Sequence, residues 1–448
     1  MEGQGFLFAP PLPLAALAVG LLLSLIPIGL ALRFATSRAA QFLILAIGLR
    51  IMFDAATVFT LRPLVAGLTP NALLSIATVG IGCLLIERVQ LRLAALVPLY
   101  LLIAAILMSA AFNGPDVAML QVLVKLAYFA VLLVVALQAL SGPNGGRLPM
   151  LIVAAFSPAL ILQLISIATG VANTSPTDGS RAFIGGFNHE SIFALVVGTQ
   201  LLVLTLAKDI GRGARVGLLA ILLVSLFLAN YRTVIIGLAP LLLVEAFALA
   251  AGAVPRRQRA LPFLAAFGMA AVLIGNIAIN PGERFEAAAQ MVANPGELIR
   301  PPEQFTREER RFASARSYVW SQYWYGFTRA GPTEQVFGHG ADSWQDDFKV
   351  YAQNTFLSYL YEFGVFGAFA VAALLIAMAI AAVKASGGMA ARLLAAHAGF
   401  LLINLSTMPF WIIEGLLFYA LLCALTLHYA YRASAVRSRA PLTGAMAA

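Results

Sequence analysis

Three polar stretches interrupt an otherwise apolar chain, and each carries residue types that can hold a phosphate or move a proton. The first reads Gly179-Ser180-Arg181-Ala182-Phe183-Ile184-Gly185-Gly186-Phe187-Asn188-His189-Glu190-Ser191. Arginine presents a rigid fork of donors that matches phosphate oxygens. A glycine pair lets the backbone approach a ligand closely. His189 and Glu190 stand where an apolar helix begins and can exchange protons with a substrate. The alternative is a polar turn at a membrane boundary whose arginine snorkels to the headgroups.

The second stretch is Asn230-Tyr231-Arg232-Thr233, in a connection so short that Arg232 must lie near the membrane boundary. An arginine at that depth is either functional, paired or snorkelling. The third closes a long polar loop: Phe337-Gly338-His339-Gly340-Ala341-Asp342-Ser343-Trp344, then Gln353-Asn354-Thr355 and Tyr361-Glu362-Phe363-Gly364-Val365-Phe366-Gly367. Upstream lie Arg310, Arg311 and Arg316, and the aromatic run Tyr318-Val319-Trp320-Ser321-Gln322-Tyr323-Trp324-Tyr325. Aromatic rings beside amide side chains suit a sugar, with rings on its apolar face and amides on its hydroxyls. They equally suit a cap packed on its own aromatic core.

These stretches need elements to position them, and the composition says which. Hydrophobic residues make up 61% of the chain and charged residues 11%, and the mean hydropathy is +0.89. A soluble chain carries roughly twice that charged share, so lipid is the expected solvent. The net charge of +9 sits in short Lys/Arg clusters between apolar runs, the pattern of cytoplasmic loops, and points to no nucleic-acid partner. Cys83 and Cys423 lie inside apolar runs and give neither a zinc spacing nor a disulfide framework. No basic n-region or small-residue cleavage site marks a removable signal peptide.

Apolar runs of spanning length fall near 11–32, 40–61, 71–86, 93–112, 118–140, 148–171, 190–207, 215–230, 232–251, 260–280, 355–383, 391–408 and 411–431. The expected fold is an all-α polytopic membrane protein of about 12–13 transmembrane helices with one large periplasmic loop domain. Alternate connections collect the basic residues: Arg33 and Arg38; Arg88 and Arg92; Arg147; Lys208, Arg212 and Arg215; Arg256, Arg257 and Arg259; Lys384 and Arg392; and the tail with Arg432, Arg437 and Arg439. That asymmetry puts the C-terminus in the cytoplasm and the segments 172–189 and 281–353 outside. The expected organisation is N-terminal helices over 1–172, central helices with the outer arginine motifs over 173–280, the loop over 281–353, and C-terminal helices over 354–448. Within the spans, Arg50 and Asp54 can pair one helical turn apart, while Lys125 and Glu245 stand alone. His397 and His428 read as packed residues.

The order of these features resembles the O-antigen ligase and O-antigen/exopolysaccharide polymerase superfamily. The resemblance is carried by Arg181 to His189, Arg232, Arg316 to Trp320, Gly338 to Gly340 and Asn354 to Gly367, and covers roughly 180–370. It implies metal-independent glycosyl transfer without a cofactor, at the periplasmic face of the cell inner membrane, from a glycan on undecaprenyl pyrophosphate. Arg181 and Arg232 would hold the pyrophosphate, where the charge of the leaving group develops. Arg316, Trp320, Gln353 and Asn354 would bind the rest of the substrate. One departure bears on the reaction type: the family commonly has His directly before the loop-closing Asn, and this chain has Gln353, which is no general base at neutral pH. The earlier motif also reads His189-Glu190-Ser191 where His-Pro-Asn is usual. Either the base has moved to Glu190, His189 or His339, or the member is not a ligase of the usual kind. The leading expectation is therefore a polymerase of an exopolysaccharide, capsule or O-antigen. Its pathway partners would be a flippase and a chain-length regulator. An O-antigen ligase acting on lipid A–core is the alternative within the class. A transporter built on Arg50, Asp54 and Lys125 is the alternative outside it, and the paired broken helices of such folds are not evident.

Overall fold

The computed structural model describes residues 9–439, apart from 66, 143, 175–178, 209, 259–298, 308, 311–314 and 387. The chain is helical nearly throughout. Its first half runs α1 (Leu14–Phe34), α2 (Arg38–Ala55), α3 (Thr57–Thr60), α4 (Pro70–Leu85), α5 (Val97–Asn113), α6 (Val117–Ser141), α7 (Leu148–Ala155) and α8 (Ser157–Thr169). A small hairpin, β1 (Asn173–Thr174) and β2 (Arg181–Ala182), leads into α9 (Glu190–Leu206), α10 (Arg212–Leu228) and α11 (Arg232–Ala251). The long polar loop holds α12 (Arg316–Arg329), α13 (Pro332–Phe337) and α14 (Trp344–Asp347), and the chain finishes with α15 (Thr355–Val383), α16 (Met389–Ser406) and α17 (Ile413–Arg439). Among the described residues, eight helices are long and apolar enough to cross a membrane. The molecule is a multi-pass, all-α membrane protein. The expected span over 260–280 lies outside the described residues.

Local chemistry sets the helix ends. Ser37, Thr69, Asp116 and Asn354 cap α2, α4, α6 and α15 by accepting hydrogen bonds from first-turn amides, which satisfies donors that lipid cannot. The span expected over 148–171 is one apolar span, Gly145–Thr169, turned at Phe156 into α7 and α8, with Pro158 in the first turn of α8. Proline lacks the amide that would continue the helix and suits a first-turn position instead. The span expected to reach 61 ends at Ala55 and turns into the short α3.

Contacts between connections sort the bundle into two ends. At one, Ala9 N–H donates to the Asn188 carbonyl (3.3 Å), Thr57 Oγ1 to the Gly186 carbonyl (3.3 Å) and Asn113 Nδ2 to the Gly338 carbonyl (3.1 Å). This is the loop end. The other is the basic end, where the connections carrying Lys208 and Lys384 meet the last turns of α17: Lys208 Nζ lies over the Tyr429 ring and Ser386 Oγ donates to the Tyr429 carbonyl. The apolar window of α17 is buried along its whole length, and α17 packs on α6, α9 and α15 as the central post.

Two groups of charges inside the bundle are paired. Glu245 accepts from Arg392 Nε (2.5 Å) and Arg215 Nη1 (3.2 Å), joining α10, α11 and α16 near the basic end. Arg50 binds both Asp54 (3.1 Å) and Glu414 (2.6 Å), joining α2 to α17. Helices α11 and α16 pack most closely where glycines face each other: a Cβ on Gly399 would meet the Gly237 carbonyl oxygen at 2.0 Å. Such small-residue contacts let backbones approach where lipid offers no hydrophobic drive. Gly399→Ala should force the two helices apart and destabilise the protein by about 1–3 kcal/mol. Gly217→Ala, which meets nothing within 4 Å, is the control. Thermal unfolding in detergent checks this; equal midpoints for the two variants would contradict the packing described.

Candidate functional site

The loop-end mouth is assembled from the hairpin, the α10–α11 corner and the cap of the long loop. Gly185 and Gly186 both have positive φ (+64° and +86°). A Cβ on the first would meet the Gln163 backbone nitrogen at 2.9 Å, and one on the second the Ala55 carbonyl oxygen at 2.8 Å. The glycine pair therefore presses the turn onto α8 and α2, and Phe187 plugs it as a fully buried ring edge-on to Phe193. That anchors the hairpin against α10: Phe183 N–H donates to the Leu228 carbonyl (2.9 Å) and Asn230 Nδ2 to Ser180 Oγ (2.9 Å). Asn230 takes the left-handed conformation (φ 53°) that a tight corner requires.

These contacts bring together the segments that carry Arg181, in the hairpin, and Arg232, at the first position of α11. Both side chains are exposed. Arg181 donates one bond to the Gly170 carbonyl (2.7 Å) and lies over the Phe183 ring at 5.2 Å. Among the described residues, neither arginine has a carboxylate partner.

His189 caps α9, its Nδ1 accepting from the Ser191 amide (3.1 Å), so Nε2 is the nitrogen left to face a ligand. Glu190 takes a bond from Asn173 Nδ2 (2.5 Å) and lies 3.6 Å from His189 Nδ1. The Tyr231 ring stands edge-on to His189 at 6.3 Å. Burial pushes the Tyr231 hydroxyl up to about 12, with Tyr351, Arg316 and Glu190 also within electrostatic reach of it. Tyr231 is thus a permanent phenol donor. It adjoins Arg232 of the second stretch and lies within electrostatic reach of Glu190 from the first and Arg316 from the third.

Arg316 opens α12, and Trp320 lies one helical turn later on the same face. Arg316 Nε and Trp320 Nε1 are both shielded from solvent and have no hydrogen-bond acceptor. The aromatic run is partly the cap's own core: Val319 and Tyr323 pack with Ala352 and Tyr361, and Tyr323 and Tyr361 meet edge-on at 5.4 Å. Gln353 has a left-handed backbone (φ 51°). Asn354 is occupied by architecture, its Oδ1 accepting from the Phe356 and Leu357 amides and its Nδ2 donating to the Leu405 carbonyl.

The loop-closing motif interlocks two backbones. Inside α15, Gly364 leaves helical geometry (φ 65°, ψ −166°) and kinks the helix. Against this kink run residues 338–342: His339 N–H donates to the Tyr361 carbonyl (3.0 Å) and Gly340 N–H to the Glu362 carbonyl (2.9 Å). The buried Glu362 carboxylate accepts from Asp342 N–H (2.7 Å) and Ser358 Oγ (2.6 Å). His339 stacks on Tyr361 at 4.4 Å and lines a separate cavity of about 340 Å³ with Asn113, Asp116 and Asp346. Burial holds its imidazole below the usual range. Its contacts lie on the α5–α6 side, away from the Tyr231 group.

Sequence reasoning left three participants unmarked. Tyr351 carries no motif and joins the mouth only through the fold of the cap. Asn173, which orients Glu190, is an ordinary loop residue. Glu414 completes the Arg50–Asp54 pair from more than three hundred residues away (|i−j| = 364). Lys125, solitary in the sequence, lies within electrostatic reach of Asp342, Glu362 and Glu414. Among the described residues no group of three or more His, Cys, Asp and Glu side chains is arranged to hold a metal ion. No protein-family model matches the chain, and no curated protein matches it.

Gly338 (φ +78°) would set a Cβ 2.2 Å from the Glu362 carbonyl oxygen. Gly338→Ala should therefore loosen the cap, at a cost of about 1–3 kcal/mol, and speed limited proteolysis within 300–353. Gly388→Ala shares the positive φ but meets nothing within 4 Å. Equal cleavage rates in the two variants would contradict the interlock.

Proposed function

We propose that this protein is a membrane glycosyltransferase that polymerises undecaprenyl-pyrophosphate-linked repeat units at the periplasmic face of the inner membrane. The reading is carried by the donors at the loop end: among the described residues, Arg181 and Arg232 lack carboxylate partners, and Arg316 Nε and Trp320 Nε1 lack acceptors. A lipid diphosphate has its charge at the membrane boundary, where these residues lie, and guanidinium forks match its oxygens.

In the reaction, a hydroxyl oxygen of the acceptor repeat unit attacks the anomeric carbon of the donor glycan. The bond from that carbon to the diphosphate oxygen breaks, and its electron pair leaves with undecaprenyl pyrophosphate. The hydroxyl proton passes to the Glu190 carboxylate, while His189, whose Nδ1 accepts from the Ser191 amide, presents Nε2–H as a donor. The arginines and the Tyr231 phenol stabilise the charge growing on the leaving oxygen, the term that dominates such transfers. Gln353 binds rather than catalyses in this scheme, since an amide accepts no proton at neutral pH.

Arg181→Ala and Arg232→Ala should each lower polymer formation by about 10²-fold or more, with unchanged protein in the membrane. Long-chain product at normal levels from both would sink the diphosphate assignment. Glu190→Gln should be severe and Gln353→Ala mild; the reverse order would move the proton acceptor elsewhere. Sidedness has its own check. A cysteine at the exposed Thr328, in a Cys83→Ser background, should react with an impermeant reagent from the periplasm. Reaction only after lysis would overturn the orientation.

A further inference from the structure

Helix α12 carries polar residues on two faces. Arg316 and Trp320 share one, while Gln322, Tyr325, Gly326 and Arg329 recur at three- and four-residue spacing on the other, nearly opposite. That second face closes a cavity of about 220 Å³, together with Pro302 and with Asp347 and Phe348 at the end of α14. Sites for drug-sized molecules run to about 300–1,000 Å³. This one has room for a single sugar-sized ring.

Its walls suit a neutral ligand rich in hydroxyls. The Phe348 ring is held by Tyr323 at 4.4 Å and Tyr361 at 4.9 Å, so the aromatic cluster of the cap fixes it. Arg329 lies over the Tyr325 ring at 5.1 Å, and the two adjoin as one wall. Each polar side chain is oriented by a partner. Gln322 Nε2 donates to the Tyr318 hydroxyl (3.3 Å), Arg329 Nη1 donates to Glu303 (2.9 Å), and Asp347 Oδ2 accepts from the Tyr361 hydroxyl. Each also keeps an atom with no hydrogen-bond partner among the described residues: Gln322 Oε1, Arg329 Nε and Asp347 Oδ1. Glu303 neutralises Arg329, so the cavity offers a phosphate no unpaired cation. Two acceptors and one donor beside aromatic rings match the hydroxyls and the apolar face of a sugar. We infer that this cavity is a second carbohydrate subsite, which holds one ring of the growing glycan across α12 from Arg316 and Trp320. The inference rests on the glycosyl-transfer reading and adds to it a grip on the chain between successive additions.

The test is polymerisation by the purified full chain in liposomes, supplied with lipid-linked repeat units from cells that lack the protein. Mean product length is read at equal consumption of repeat units. Tyr325→Ala should shorten the product about fivefold, because losing one aromatic contact raises the chance of release at each addition. Tyr325→Phe, which keeps the ring, should restore the wild-type length. Thr333→Ala, at an exposed position of α13 outside the cavity, should match the wild type. Saturation-transfer NMR with lipid-free glycan released from the product should give a signal that falls in Tyr325→Ala and returns in Tyr325→Phe. No polymer from the wild-type chain would overturn the glycosyl-transfer reading and the subsite with it. Polymer from the wild type together with wild-type length or undiminished glycan signal in Tyr325→Ala would overturn the subsite alone, as would equal shortening in Thr333→Ala.

Discussion

The loop-end architecture depends on one backbone-to-backbone fit, the docking of residues 338–342 against the kink that Gly364 puts into α15. Two main chains can approach this closely only without side chains between them, so Gly338 and Gly364 carry positive φ, with carbonyl oxygens where a Cβ would sit. Glu362 secures the contact from below through the Asp342 amide. From this anchor the aromatic cluster of Tyr323, Phe348 and Tyr361 builds outward, and that cluster fixes α12 and with it Arg316. A loop tied down in this way can hold a guanidinium beside residues contributed by distant helices, which a mobile loop of that length could not.

The same economy governs charge inside the bundle. A lone ion in lipid is costly, and pairing offsets the cost only when geometry is good. Arg50 gathers two carboxylates and the Ser75 hydroxyl across α2, α4 and α17, and Glu245 gathers two arginines across α10, α11 and α16. Both groups join helices far apart in sequence. They read as clamps that register the bundle, which weakens the case for Arg50 and Asp54, two of the three residues of the transporter alternative, as a transport path.

Much of the fold was legible because lipid makes its demands locally. Apolar run length marked the long apolar helices, with the shorter α4 and α10 among them, but not α3 or the cap helices. The run over 148–171 is one apolar span, turned at Phe156 before Pro158, whereas α2 ends at Ala55 despite apolar residues beyond it. The candidate site was legible in part. Arg181, Glu190, Arg232 and Arg316 stood out because polar residues beside apolar runs are conspicuous. That Glu190 and Arg316 both come within electrostatic reach of Tyr231 was not readable, because it arises from the packing of a corner, a hairpin and a cap with no common periodicity. The glycine and Glu362 motif was visible as a pattern, whereas its physical meaning, a helix kink gripped by a loop, needed coordinates. Asn354, expected at a substrate, is engaged in capping α15, the commonest work of such a residue at a helix start.

The central claim is that the arginines of the loop end, Arg181, Arg232 and Arg316, serve the transfer of a glycan from a lipid diphosphate. The most direct measurement is the size distribution of lipid-linked and surface glycans in cells lacking this protein. The account predicts single repeat units accumulating on undecaprenyl pyrophosphate, with polymer absent and restored by the wild-type chain. Full-length polymer retained on undecaprenyl pyrophosphate would mean that the chain transfers finished glycan to another acceptor. Unchanged pools of both would contradict glycosyl transfer altogether.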